Sequence, residues 1–188
     1  MRSALLLVAA LVVGCSKTSP SATKPAPDAS VAPATAVVEP GIAASRATVA
    51  GRLVVREKTP MQAYELTLGE KTVVKTDASV DGDPHASGPQ PSIPALFDAV
   101  APFDQVAVIR WDGMGNACNG WGYSFLGIRK DGTFKLSPTI DFCGGPEPTI
   151  TKDGNRLTYV VPEHAPNRGT ELVPGETWIY ENGALSRR

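Results

Sequence analysis

Apolar and polar positions divide the chain into three stretches of different texture. Residues 4–13 form an unbroken apolar run behind Arg2. The run is too short to cross a bilayer and matches the pattern of a secretory signal. Residues 16–45 have no hydrophobic periodicity, few charges, and a content of Pro, Ala, Ser and Thr of roughly two thirds. Such a segment cannot bury enough apolar surface to offset its ordering entropy, so a disordered, partly extended tether is expected. From Ala47 onward β-branched and apolar residues dominate, and the folded domain is expected to begin near Arg46 and run to residue 188.

Within that domain, residues 48–56 (TVAGRLVVR) read as a strand. Residues 62–68 alternate, with Tyr64, Leu66 and Leu68 on one face, and Gly69-Glu70 turns into a strand over 71–76. A polar loop follows over 77–91. Residues 92–100 predict the chain's one short helix: Ser92 can cap it, Pro94 fits its first turn, and Ile93, Leu96, Phe97 and Val100 share a helical face. Ala101-Pro102 ends it, and 103–111 (FDQVAVIRW) is a strongly apolar, central strand. Three hairpins follow, turning at Asp131-Gly132, Asp153-Gly154 and Asn182-Gly183, because tight turns need positive φ. These patterns predict a mainly β domain of about eight to ten short antiparallel strands with one short helix. Sandwich, curved sheet and small barrel stay open, and the turns recur at no fixed period.

The apolar run ends in Val12-Val13-Gly14-Cys15. This sequence resembles the lipobox of bacterial lipoproteins: an aliphatic residue, a tolerant position, a small residue, then Cys. The resemblance covers only the first 15 residues. It implies a diacylglyceryl group on the Cys15 thiol, cleavage after Gly14, acylation of the new N-terminus and residence in the cell envelope. Ser16 in the following position implies the outer membrane in preference to the inner. A plain secretory signal that happens to contain a Cys is the alternative. Two or more acyl chains anchor a protein stably, at about 0.8 kcal/mol per buried CH₂.

The 188 residues carry 18 Lys+Arg against 19 Asp+Glu, a net charge of -1, which excludes a strongly basic nucleic-acid binder. Two His and three Cys leave little for a metal cluster, and no cofactor is expected. In an oxidising compartment Cys118 and Cys143 are expected to form a disulfide, closing a loop of about 25 residues. Asp77, Asp81 and Asp83 around Gly82 suggest a calcium loop, but no Glu stands at the twelfth position, and a solvated loop accounts for them. His85 and His164 read as isolated surface imidazoles. Ser124 lies mid-strand in a Gly-containing run one residue too long for a nucleophile elbow. Gly113-Met114-Gly115 precedes no helix, and nothing in the spacing of Glu147, Glu163, Glu171, Glu176 and Glu181 selects a glycosidase pair.

Trp111, Trp121 and Tyr123 bracket the Gly-rich segment 112–120. They read either as a recognition surface for an envelope protein or a glycan, or as core packing. Residues 115–143 loosely resemble a segment of uncharacterised exported proteins of Gram-negative bacteria: Gly-x-x-Cys, an aromatic strand, an Asp-Gly hairpin and a second Cys. That resemblance implies no activity. The functional expectation is a membrane-anchored envelope lipoprotein whose non-catalytic β domain binds a partner or has a structural role. The alternatives are an envelope hydrolase with an unrecognised site and an inhibitor of a lytic enzyme. Mass spectrometry of the unreduced protein is expected to find Cys118 joined to Cys143, and two free thiols would refute the bridge. Replacing both cysteines is expected to lower stability by about 2–5 kcal/mol.

Overall fold

The computed structural model describes residues 40–59, 63–76, 89–113, 122–141, 145–165 and 171–188. Among them the chain forms thirteen strands: β1 Ile42–Thr48, β2 Gly51–Thr59, β3 Ala63–Leu68, β4 Lys71–Thr76, β5 Gln90–Val100, β6 Phe103–Asp112, β7 Gly122–Ile128, β8 Phe134–Leu136, β9 Ile140–Asp141, β10 Thr149–Asp153, β11 Arg156–Val161, β12 Glu176–Glu181 and β13 Ala184–Arg187. They build three antiparallel sheets, each a meander of neighbouring strands: β1-β2-β3-β4, β5-β6-β7-β8 and β10-β11-β12-β13. The two-residue β9 continues the line of β8 along β7, pairing Ile140 with Tyr123. Cys15, residues 16–39, Cys118, Trp121, Cys143, His85 and the Asp77, Asp81 and Asp83 group lie outside the described residues, so the lipobox, most of the tether and the disulfide do too.

The second sheet has no solvent face along its central strands. Every residue of β7 is buried, and β6 is buried along most of its length. Successive side chains alternate between two cores, as the period of a strand dictates. Val106, Val108, Tyr123 and Phe125 pack with Leu157, Tyr159, Val161 and Tyr180 of the third sheet. Ala107, Ile109, Trp111, Leu126 and Ile128 pack with Leu53, Val55, Tyr64, Leu66 and Leu68 of the first sheet. The middle sheet thus contributes one face to each core, a sandwich with three layers. Continuous apolar runs, as in FDQVAVIRW, are the signature of strands covered on both sides.

Residues 92–100 are strand, not helix, and the expected helix is corrected. β5 is an edge strand, which tolerates Pro91 and Pro94, and its register slips by one residue between Ser92 and Ala95. The slip leaves Ile93 and Leu96 in the same core despite their spacing of three. Ala99, at φ 51°, then lets Phe97 and Val100 both reach the other core. Two backbone irregularities therefore reproduce the spacing of a helical stripe. The stretch 48–56 is also not one strand: Val49-Ala50 is a turn, closed by Thr48 Oγ1, which donates to Gly51 O at 2.7 Å and accepts from Ala50 N at 3.3 Å. β1 takes in residues 42–45, which composition assigns to the tether, so ordered structure begins before Arg46.

Gly127 is one of two glycines of β7, with Gly122, that leave no room for a Cβ. A Cβ built there would lie 2.3 Å from the Phe103 ring. Gly127→Ala is expected to cost about 1–3 kcal/mol, as overpacking does, measured by denaturant titration. Unchanged stability would mean that Phe103 is free to move aside.

Candidate functional site

Strand alternation sorts the connections between the two ends of the domain. Six tight turns lie at one end. They border three depressions of about 280, 420 and 340 Å³, whose linings between them include Val49, Gly69, Ala101, Lys130, Asn155 and Gly183, one from each turn. Polar groups tie these turns to one another, two of the bonds crossing from the first sheet to the second. Lys71 Nζ donates to Gly132 O at 2.9 Å. The Gln105 amide accepts from Val49 N at 3.2 Å and donates to Asp98 Oδ1 at 2.8 Å. Lys130 N donates to Asp104 Oδ2 at 2.8 Å. The longer connections, which join β4 to β5, β6 to β7, β9 to β10 and β11 to β12, leave from the opposite end. Loops carried on a rigid scaffold are where binding residues concentrate, so this end is the candidate site.

Its described part is a charged cluster at the ends of β6 and β7. Arg110 and Tyr123 are cross-strand partners on the face toward the third sheet. Glu147, just ahead of β10, accepts from Tyr123 Oη and from Arg110 Nη1, each at 2.6 Å. Arg110 Nε meets Asp112 Oδ1 at 2.7 Å, and Ser92 Oγ donates to Asp112 Oδ2 at 3.3 Å. Burial alone would lower the Arg110 pKa, but Asp112, Tyr123 and Glu147 outweigh it and raise it. Two carboxylates therefore share one guanidinium, and Glu147 keeps 64% of its side chain exposed. This arrangement fixes the connection ahead of β10 onto the middle sheet and leaves an acceptor facing outward.

The residues singled out in the sequence do not meet at one surface. Trp111 and Tyr123 are both buried, on opposite faces of the middle sheet, so these two pack the cores and do not form a shared recognition surface. Trp111 Nε1 donates to Ser124 Oγ at 2.9 Å, and that buried hydroxyl also bonds Thr139 Oγ1 at 3.0 Å. Ser124 is thus a core hydroxyl with its bonds used. His164 pairs with Val173 in a single bridge, its ring stacked over Gly145 and its Nδ1 3.0 Å from Pro162 O. Glu176 holds Arg187 at 2.8 Å and Trp178 Nε1 at 2.9 Å, and Glu181 holds Arg156 at 3.3 Å. Glu163 and Glu171 are exposed. Among the described residues no group of three or more His, Cys, Asp or Glu side chains is placed to hold a metal ion. Sequence reasoning missed the Arg110–Glu147 contact, which joins residues 37 apart and carries no local signal.

No protein-family model matches the chain, and no significant match was found among curated proteins or solved structures.

All four tyrosines of the chain are buried, and each phenol is held above its ordinary pKa. Burial is the first cause in every case, aided at Tyr64 by Glu57, at Tyr123 by Glu147 and at Tyr159 by Tyr123, Glu176 and Glu147. Tyr180, stacked on Phe125 at 5.0 Å, is pushed up to about 12. Raised folded-state values stabilise the neutral phenols, so this contribution is intact below about pH 10 and is lost as pH rises through the folded values. Titration followed by phenolate absorbance is expected to show no tyrosine ionising near pH 10 while the fold persists. A tyrosine that ionises there in the folded protein would contradict this burial.

Proposed function

We propose that the chain is an exported lipoprotein, held by lipid on Cys15 in the bacterial cell envelope, with the outer membrane favoured over the inner. Its β domain is a non-catalytic module that binds an envelope protein or glycan or serves a structural role. The observation that carries the location is Val12-Val13-Gly14-Cys15 closing an apolar run behind Arg2. A Pro-rich stretch between lipid and domain supports it, because about twenty-five residues in the extended limit reach up to about 80 Å at roughly 3.1 Å each. The binding role is supported by the scaffold, in which stacked meanders hold the longer connections at one end. In expressing bacteria, Cys15→Ser is expected to abolish palmitate incorporation and to move processed protein from the membrane to the soluble periplasmic fraction. Processed variant that still fractionates with membrane, or labelling that persists, would overturn the lipid anchor. Affinity capture with the lipidated chain, followed by Glu147→Ala, then asks whether the loop-bearing end holds a partner.

A further inference from the structure

The three depressions beside the tight turns differ in charge. The two of about 420 and 340 Å³ set lysines beside carboxylates: Lys130 with Asp98 and Asp104 in one, Lys71 and Lys130 with Glu70 and Asp131 in the other. The depression of about 280 Å³ is lined by two cations, Arg129 and Lys135, and by no carboxylate. Its walls include the apolar Pro102, Phe103 and Phe134 and the turn at Asn182-Gly183.

The middle sheet places both cations, and both are exposed. Lys135 is the cross-strand partner of Gly127. Paired residues share a face, and a Cβ on Gly127 would lie 2.3 Å from the Phe103 ring, so Lys135 stands on the Phe103 side of β8. Arg129 follows β7 directly. Its Nε donates to Pro102 O at 3.3 Å, and its guanidinium lies over Phe103, 5.7 Å from the ring centre. These contacts orient the guanidinium and leave its two terminal nitrogens without a partner among the described residues. Lys135 likewise makes no ion pair among them. Asp131, the carboxylate of the same turn, accepts from Thr133 N and Oγ1 at 2.8 and 2.7 Å. It attracts Arg129 and Lys71 alike, but it does not line this depression. Arg129 N donates to Thr133 O and Ser137 N to Phe125 O, so Lys135 turns its backbone toward β7. Phe134 therefore turns its N–H away, to the open edge of the sheet.

We infer that this depression binds a phosphate monoester, its anion held between Arg129 and Lys135 and its organic group resting on the wall of Pro102, Phe103 and Phe134. An oriented guanidinium offers two parallel N–H donors to two oxygens, which suits phosphate and carboxylate alike. A carboxylate brings a single charge. A phosphate monoester brings close to two charges and three acceptor oxygens, which matches two cations and an edge N–H. The site lies at the end opposite the longer connections and does not depend on lipid at Cys15, so it stands or falls apart from the function proposed above. The full chain, purified in a nonionic detergent, is titrated with glucose 1-phosphate, dihexanoyl phosphatidic acid, inorganic phosphate and glucuronate. Amide NMR shifts are followed at residues 129, 133–135, 182 and 183. At least one monoester is expected to shift these amides and to bind more tightly than glucuronate. Preference for the sugar ester assigns the ligand to a phosphorylated glycan, and preference for the lipid ester to a phospholipid. R129Q and K135Q, with the fold checked by circular dichroism, are each expected to bind roughly tenfold more weakly. K152Q, outside the lining, is expected to bind as the parent does. Absence of monoester binding, glucuronate binding as tight, shifts confined to other residues, or unchanged affinity in R129Q and K135Q would overturn the inference. So would inorganic phosphate binding as tightly as both esters, since the apolar wall would then hold nothing.

Discussion

Burial of the middle sheet on both faces is the constraint from which the rest of the domain follows. An antiparallel sheet ordinarily keeps one face wet, and its strands then alternate apolar with polar residues. β6 and β7 do not alternate: Val106 to Ile109 and Tyr123 to Ile128 place apolar groups or core hydroxyls on both sides. Such a sheet is soluble only when each face is covered. The first sheet supplies Leu53, Leu66 and Leu68 to one face, and the third supplies Leu157, Tyr159 and Tyr180 to the other. Neither outer sheet needs a second core, and each is free to present polar residues outward. Thr149, Thr151, Thr158 and Thr177 on the outward face of the third sheet are a consequence of that freedom.

Buried polar atoms inside the stack follow the same logic. Several are matched, whereas the hydroxyls that Tyr159 and Tyr180 bring from the third sheet have no hydrogen-bond partner among the described residues. Ser124 bonds Trp111 and Thr139, Ser137 Oγ accepts from Phe125 N at 2.9 Å, and Gln105 bridges the first and second sheets. An unmade bond in this interior would cost about 1–3 kcal/mol. The charges are displaced to the strand ends, where Arg110, Asp112 and Glu147 gather. Rigid strands thus deliver a paired but outward-facing carboxylate to the end of the domain from which the longer connections leave.

Much of the secondary structure was legible because turns announce themselves chemically. Asp131-Gly132, Asp153-Gly154 and Asn182-Gly183 each carry a positive-φ glycine between paired strands, as their sequences indicate. The turn at Val49-Ala50 was not legible, because it uses a Thr hydroxyl and Gly51 in place of an Asn-Gly or Asp-Gly pair. β5 misled for a physical reason: a bulge beside Pro94 and a left-handed Ala99 gave a strand the periodicity of a helix. The division into three sheets was also hidden, since periodicity says which residues are buried but not which layer covers them. Trp111 and Tyr123 looked like neighbours across a loop; strand parity sends them to opposite cores.

Native-state hydrogen exchange resolved by residue tests the central role of the middle sheet most directly. If β6 and β7 are the common wall of both cores, their amides can open only when the whole domain unfolds, so the protection of Val106–Ile109 and Phe125–Ile128 should equal the global unfolding free energy. The edge strands β1 and β13 should exchange faster, through local opening. Exchange of β6 and β7 at the rate of those edge strands, or an outer sheet that outlasts the middle one, would contradict the account.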